Sequence, residues 1–187
     1  MPRLSLLAAT ALVVAAAPVL ADNHGAAVVD NNLTLAEVQA AQQAWGAALV
    51  QIATDYSTGG RDKATATAAA VLDAAYGYGH GAVLFKPTLT SGEQTFRTTR
   101  EGALAYFVGG NPAFPADSGF ALKGWRGYAI ENAAVYINGD LAITMGNVIL
   151  TNAEGARTKV DKTWGFRKGD DGRLRIVLHH SSLPYTP

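Results

Sequence analysis

Two histidines and two serines stand together near the C-terminus, in the segment 178–183 (LHHSSL). An imidazole exchanges protons near neutral pH, and a hydroxyl both donates and accepts hydrogen bonds, so these residues could hold a small polar ligand. Because side chains alternate along a strand, His179 and Ser181 are predicted to share one face, with Ile176 and His180 on the other. The same residues would also suit a strand end whose polar groups are satisfied inside a core, and the pattern alone leaves both interpretations open.

A metal centre is the second chemistry that histidines could provide. The chain has four histidines, His24, His80, His179 and His180, and no cysteine. Since His179 and His180 are predicted on opposite faces of one strand, they cannot bind one ion together, and no three-histidine zinc site is expected. The lack of cysteine excludes thiolate ligands, disulfides and a cysteine nucleophile. Asp161 remains an alternative carboxylate ligand, but we predict no metal-binding residue and no cofactor.

Nucleotide or nucleic-acid chemistry is not indicated. The glycine-rich segment 77–81 (GYGHG) lacks the spacing of a phosphate-binding loop, and no dinucleotide or nucleophile-elbow motif occurs. Acidic and basic residues balance at 15 each, and the difference becomes 14 − 15 = −1 when Arg3 is removed with the N-terminal segment described next. A chain without a basic excess is not expected to bind nucleic acid or an anionic membrane surface.

The N-terminus has the pattern of a cleavable signal peptide. Arg3 precedes a short apolar run at 4–14 (LSLLAATALVV), and 19–21 (VLA) is a small-x-small cleavage site. The alternative is a membrane anchor, but the apolar stretch is interrupted by Pro18 and is short for a span. We therefore expect an exported protein, periplasmic or secreted, that does not contact the membrane after cleavage. The predicted organisation is a signal peptide at 1–21, a flexible leader at 22–33 and a single domain at 34–187.

Helical patterns dominate the first part of this domain. Thr34 and Glu37 form a capping box before apolar residues at helical spacing, which predicts a long helix to about Tyr56. Gly60 lies in the segment that should end it. An alanine-rich second helix is predicted over 62–75.

Shorter elements follow. A strand is predicted at 83–85, and a second capping box, Thr98 with Glu101, predicts the start of a third helix. The segment 109–124 contains glycines and prolines and is expected to be a loop or lid.

The remainder of the chain predicts antiparallel strands. Asn138-Gly139 between two apolar runs is a strong hairpin signal. Helices followed by a run of strands is the α+β pattern, in which helices pack on one face of a curved, mostly antiparallel sheet. The predicted strands lie at 128–137, 141–150, 158–167 and 174–183.

The C-terminal third resembles a known superfamily. The strings at 163–167 (TWGFR), 169–176 (GDDGRLRI) and 178–184 (LHHSSLP) resemble the calmodulin-dependent kinase II association-domain branch of the NTF2-like superfamily. Within that branch, further segments are similar to the iota class of carbonic anhydrases. These are 85–88 (FKPT), 103–110 (ALAYFVGG), 119–122 (GFAL) and the His-His-Ser-Ser ending.

The resemblance covers about residues 34–185 and implies an NTF2-like cone that forms a homodimer. It implies a carbonic anhydrase whose pocket binds carbon dioxide or bicarbonate through hydroxyls. On the matching positions, the resemblance implies that Thr88, Tyr106 and Ser181 are catalytic and that His179 binds substrate. The class has been described both as metal-dependent and as metal-free, and this chain offers no convincing ligand set, so we expect metal-free chemistry.

Each of these residues also has a structural interpretation. Thr88 could cap a turn, Tyr106 could fill the core, and Ser181 could pair with a neighbouring strand. Two alternatives to an enzyme follow, a non-catalytic NTF2-like domain that binds a small molecule and a pure oligomerisation module. Hydration of carbon dioxide by the purified protein would separate the enzyme from both alternatives.

Overall fold

The computed structural model describes residues 30–187, so the predicted signal peptide and most of the predicted leader lie outside the described residues. A long helix comes first, and a sheet built mainly from the second half of the chain follows. The helices are α1 (Leu35–Ala75) and α2 (Arg100–Val108), and the strands are β1 (Leu84–Lys86), β2 (Trp125–Asn138), β3 (Leu141–Asn152), β4 (Arg157–Lys168) and β5 (Leu174–Ser182).

The strands form one five-stranded curved sheet in the order β1-β5-β4-β3-β2. The strand pairs from β2 to β5 are antiparallel, whereas β1 pairs with β5 in parallel. α1 and α2 pack together, and α1 also packs on β2 and β5. The prediction of an α+β fold with helices on a mostly antiparallel sheet is confirmed.

α1 contains the predicted break within one helical element. Thr34 and Glu37 form the expected capping box at its start. Gly60 leaves helical geometry, with φ 75° and ψ −170°, a conformation that only glycine adopts readily. The two predicted helices are therefore two arms of α1. The buried residues that face the core include Trp45, Leu49 and Ile52 on the first arm and Ala64, Ala68 and Leu72 on the second.

α2 begins one residue later than the predicted capping box requires. The side chain of Thr99, not Thr98, accepts a hydrogen bond from the Gly102 amide, so the predicted box of Thr98 with Glu101 is wrong. After α2, the segment 109–124 is largely loop, as predicted, with a short 3-10 turn at its end. A buried ion pair between Arg97 and Asp117, 2.8 Å apart, fastens this loop to the body of the domain.

Among residues 30–187 the strand pairing shifts register at three places, and two of these bulges matter for the inner face of the sheet. In β2 the register shifts between Asn132 and Ala134, opposite Gly146. A Cβ at Gly146 would collide with the Glu131 carbonyl, so a glycine is needed for the close approach of the bulged strand. A bulge bends a strand and increases its twist, which helps a sheet to curve around a core.

The second bulge corrects one sequence prediction. The register of β5 against β4 shifts between Ile176 and Leu178, so Val177 is the extra residue. Strict alternation predicted Ile176 on the face opposite His179, yet both side chains are buried on the inner face. The prediction for Ile176 is therefore wrong. Beyond the bulge the alternation holds, since His179 and Ser181 are buried while His180 is exposed.

No helix within residues 30–187 is long and apolar enough to cross a membrane.

Candidate active site

The structure brings the three predicted hydroxyl residues together from separate elements. Thr88 follows β1, Tyr106 lies on α2, and Ser181 lies near the end of β5. The parallel pairing of β1 with β5 carries Thr88 to Ser181, and the Thr88 hydroxyl donates to the Ser181 hydroxyl over 2.7 Å. Lys86 also fixes the position of Ser181, because its ammonium donates to the Ser181 carbonyl oxygen over 3.0 Å. We call Thr88, Tyr106 and Ser181 the hydroxyl cluster.

Tyr106 supplies a protonated phenol. Burial raises the pKa of Tyr106 well above its usual value, although the nearby Thr88 hydroxyl and the backbone of Leu89 and Thr88 act in the opposite direction. The phenol oxygen is buried and has no hydrogen-bond partner of normal geometry among residues 30–187. A buried hydroxyl without a partner is uncommon in folded proteins. This phenol is therefore available as a donor to a ligand, and at neutral pH it is not a base.

The walls beside Tyr106 are largely aromatic. Its ring stacks on Phe120 at 5.4 Å and meets Phe85 edge to face at 5.8 Å. A small cavity of about 30 Å³ lies against Tyr106, Phe120 and Asp117. A volume of that order suits only a very small guest.

A larger cavity lies elsewhere. It measures about 580 Å³ and is bounded by residues 77–82 and by parts of 167–177. It touches none of the four predicted site residues. The volume of a cavity does not show that it has chemically useful groups. We therefore place the candidate site at the hydroxyl cluster, which contains the partnerless Tyr106 phenol and the hydrogen-bonded pair of Thr88 and Ser181.

His179 is buried at 2% exposure, and both of its ring nitrogens contact protein groups. Nδ1 lies 2.8 Å from the Tyr76 hydroxyl, and Nε2 lies 2.7 Å from the Lys162 Nζ. The ring stacks on Phe85 at 4.4 Å. Burial, followed by the effects of Lys162 and His180, lowers the pKa of His179 well below its usual value, so the imidazole is neutral at pH 7. Substrate binding by His179 stays a prediction, and the observed contacts hold the ring in place through both nitrogens.

Sequence reasoning missed two members of this site, Tyr76 and Lys162. Tyr76 ends α1, and a bridge to Ile176 in β5 fixes its position. No local pattern indicates that role. Lys162 did leave a signal, because it lies between Val160 and Trp164 on the alternation that forms the apolar inner face of β4. A lysine on such a face is unusual enough to mark a site.

Lys162 is 4% exposed and lies among aromatic rings. Its Nζ lies 4.6 Å from the centre of the Trp45 ring and 5.3 Å from that of Trp164. Within residues 30–187 it forms no ion pair with a carboxylate, and its one side-chain hydrogen-bond partner is His179. Burial lowers the pKa of Lys162 to about 7.

The described residues do not offer a metal site. Among residues 30–187 no three or more His, Asp or Glu side chains cluster as a metal would require. Asp161, the alternative ligand, is exposed and hydrogen-bonds to Asn147.

The helices and the curved sheet form an NTF2-like fold, with the hydroxyl cluster beside α2. A structure described as a calcium/calmodulin-dependent protein kinase II association domain from Xanthomonas campestris matches with a TM-score of 0.53 and 23% identity, over 86% of this chain and 95% of that chain. At this identity the match supports the fold alone.

Closer relatives identify the family. The family model of metal-independent carbonic anhydrases matches residues 36–183. A metal-independent carbonic anhydrase from Nostoc sp. (strain PCC 7120) is 59% identical over 158 residues, 84% of this chain and 77% of that protein. The crystal structure of a cyanobacterial iota-carbonic anhydrase complexed with bicarbonate matches with a TM-score of 0.85 and 57% identity, over 87% of this chain and 99% of that chain. The chain belongs to the metal-independent carbonic anhydrase family.

Family membership confirms the predicted enzyme, a carbonic anhydrase that interconverts carbon dioxide and bicarbonate. The family's description also agrees with the prediction that no metal cofactor is needed. The two non-enzymatic alternatives are not supported.

The lowered pKa of Lys162 predicts that the free energy of unfolding depends on pH above neutrality. Its pKa falls from 10.5 to about 7 on folding, so between these pH values the unfolded chain binds a proton that the folded protein lacks. The free energy of unfolding should therefore rise with pH above 7, by at most about 1.4 kcal/mol per pH unit. Lys162→Met removes this contribution, and urea denaturation at pH 7, 8 and 9 should give it the flatter profile. Equal slopes in both proteins would contradict the prediction.

Proposed function

We propose that the hydroxyl cluster is the catalytic site, at which water adds to carbon dioxide and bicarbonate is held. The observation that carries this proposal is the 2.7 Å hydrogen bond from Thr88 to Ser181 beside the partnerless Tyr106 phenol. The related cyanobacterial structure that contains bicarbonate supports a site for the same anion here.

Each of the three hydroxyls has a different hydrogen-bonding role in the proposed reaction. Because Thr88 donates to Ser181, the hydrogen of Ser181 points away from Thr88, and the Thr88 oxygen keeps a lone pair for the hydrogen of a water. Tyr106 donates to the oxygen on which negative charge develops as the new C–O bond forms. A preorganised neutral donor of this kind stabilises the transition state without first binding an anion tightly.

The surroundings suit the substrate. Carbon dioxide is apolar and enters a site walled by Phe85 and Phe120 more readily than an ion does. The product is a small planar anion with acceptors on every oxygen, which converging hydroxyls can orient. Holding water and gas in one small space also removes the entropy cost of bringing them together.

Tyr106→Phe tests the proposal with little change of volume. It removes the one donor aimed at the developing charge, so the hydration rate should fall by about 10²-fold. The melting temperature should change little, because the phenol oxygen has no protein hydrogen bond to lose. Stopped-flow hydration of carbon dioxide in the presence of a chelator measures the rate.

Tyr136→Phe is the matched control. Tyr136 is 60% exposed on β2, facing away from the core, and should keep the parental rate. A Tyr106→Phe enzyme as active as the parent would show that the cluster is not the catalytic site.

We also propose that the enzyme is a homodimer, joined through the outer face of the sheet. Leu84, Ile143 and Met145 project from that face, and Met145 is 62% exposed. Val148, on the same strand as Ile143 and Met145, is buried in the core and cannot take part. Exposed apolar side chains on the outer face of a sheet are typical of a protein interface.

Light scattering should therefore give twice the monomer mass, and Met145→Glu should shift the protein toward monomer. A monomeric parent protein at micromolar concentration would contradict the dimer.

Export is the third proposal. It is supported by the charged, apolar and small-residue segments of residues 1–21. Expression of the full chain in a Gram-negative host should yield a periplasmic protein that begins at Asp22 by mass spectrometry. An uncleaved chain that stays in the cytosol would contradict export.

A further inference from the structure

A chain of hydrogen bonds runs through the core next to the hydroxyl cluster. The Trp45 indole N–H donates to the Tyr76 oxygen over 3.0 Å, and the Tyr76 hydroxyl lies 2.8 Å from Nδ1 of His179. The other ring nitrogen of His179 lies 2.7 Å from Lys162. All four side chains are buried.

In this series of hydrogen bonds, one arrangement of the hydrogens gives the donors of Trp45, Tyr76 and His179 an acceptor each. An indole nitrogen only donates, so the Tyr76 oxygen accepts from Trp45 and the Tyr76 hydrogen goes to Nδ1 of His179. Nδ1 is then an acceptor, and the neutral imidazole carries its hydrogen on Nε2. That hydrogen points at Lys162 and needs a lone pair there, which a lysine has only as a neutral amine.

A charged Lys162 reverses the chain and leaves it unsatisfied. An ammonium donates to Nε2, which moves the imidazole hydrogen to Nδ1. Both Trp45 and His179 then donate to the Tyr76 oxygen, and the Tyr76 hydrogen has no partner within hydrogen-bond distance among residues 30–187. A buried donor without a partner is costly, so the geometry favours the neutral amine.

No nearby negative charge offsets this preference. From β5 Lys162 faces the neutral His179, and from the end of α1 it faces Tyr76, whose pKa burial raises. His180 can carry only positive charge, and β3 contains no ionisable residue. Asp161, the neighbour of Lys162 on β4, is exposed on the other face.

Lys162 lies directly opposite one member of the hydroxyl cluster. Lys162 and Ser181 are directly paired in the β4–β5 register, and both side chains are buried on the inner face. Directly opposed side chains in an antiparallel pair have Cβ atoms about 5 Å apart. A proton that reaches the Ser181 side chain is therefore on the residue directly opposite Lys162.

We propose that Lys162 is the group that takes up the proton released by hydration, with the Ser181 hydroxyl as the relay. The proposal rests on the hydroxyl cluster as the site of hydration. The water oxygen bonds to carbon, and one C–O π pair moves onto the oxygen that faces Tyr106. The water gives a proton to Ser181. The Lys162 amine turns its lone pair from the His179 Nε2 hydrogen to Ser181 and takes the Ser181 proton, and bicarbonate and an ammonium result.

The ammonium then releases its proton to water or buffer. The indole faces of Trp45 and Trp164 attract a cation and so stabilise the ammonium while it exists. The reversed series of hydrogen bonds is less favourable, so the ammonium is short-lived. In the dehydration direction the same ammonium returns the proton to bicarbonate.

Lys162→Met removes the amine and keeps an unbranched apolar side chain in the dry core. We expect its hydration rate to fall by about 10²- to 10⁴-fold, the range for loss of a proton-transfer group. The parent rate should rise with pH through about 7, as the amine becomes neutral, and the variant should lose this rise. Bicarbonate binding, measured by ¹³C NMR, should stay within a few-fold of the parent. Lys159→Met, an exposed lysine of the same strand, should match the parent in all three measurements.

A second measurement does not depend on a variant. The ¹⁵N spectrum of His179 in the parent protein at pH 8 should place its hydrogen on Nε2. A hydrogen on Nδ1 would overturn the proposal, as would a Lys162→Met enzyme with the parental rate or with the parental rise with pH. If Tyr106→Phe is impaired while Lys162→Met is normal, the hydroxyl cluster stands and the role of Lys162 alone is wrong.

Discussion

The parallel pairing of β1 with β5 is the contact on which the site depends. β1 is three residues long, yet its register sets Phe85 beside His179 and leads the chain to Thr88 next to Ser181. Parallel strands need a long connection, and here α1 lies before the short strand while α2 and three further strands lie between the pair. The cone therefore joins residues 93 positions apart in sequence with one short hydrogen bond.

Burial among aromatic rings shifts three ionisable groups of the site toward their neutral forms. Burial raises the pKa of Tyr106 and lowers the pKa values of His179 and Lys162. The direction follows from one cause, because a low-dielectric interior disfavours whichever form is charged. A neutral interior suits an uncharged gas as substrate, and it disfavours retention of the anionic product.

The sequence was most informative where the structure is local. The capping box at Thr34, the break at Gly60 and the hairpin at Asn138-Gly139 each follow from a few adjacent residues. The shared face of His179 and Ser181 also followed from alternation, whereas the face of Ile176 did not, because the bulge at Val177 is set by pairing with β4. The meeting of Thr88 with Ser181 was expected only from family resemblance, since no local pattern reports a parallel pairing across the whole fold. The contact of Tyr76 with His179 was not predicted, because it too depends on residues that are distant in sequence.

A carbonic anhydrase without a metal must use its own side chains to remove a proton from the attacking water. Zinc enzymes lower the pKa of a bound water from 15.7 to about 7 and so make hydroxide available at neutral pH. Hydroxyl donors cannot do this, because they stabilise charge on the carbon dioxide oxygens but do not remove a proton from water. The proton must then leave as the C–O bond forms, and the best acceptor has a pKa near the working pH. An ordinary lysine is too basic and an ordinary carboxyl too acidic for that task. Burial beside indole rings shifts the pKa of Lys162 toward the required range, which gives the apolar core a chemical function as well as a structural one.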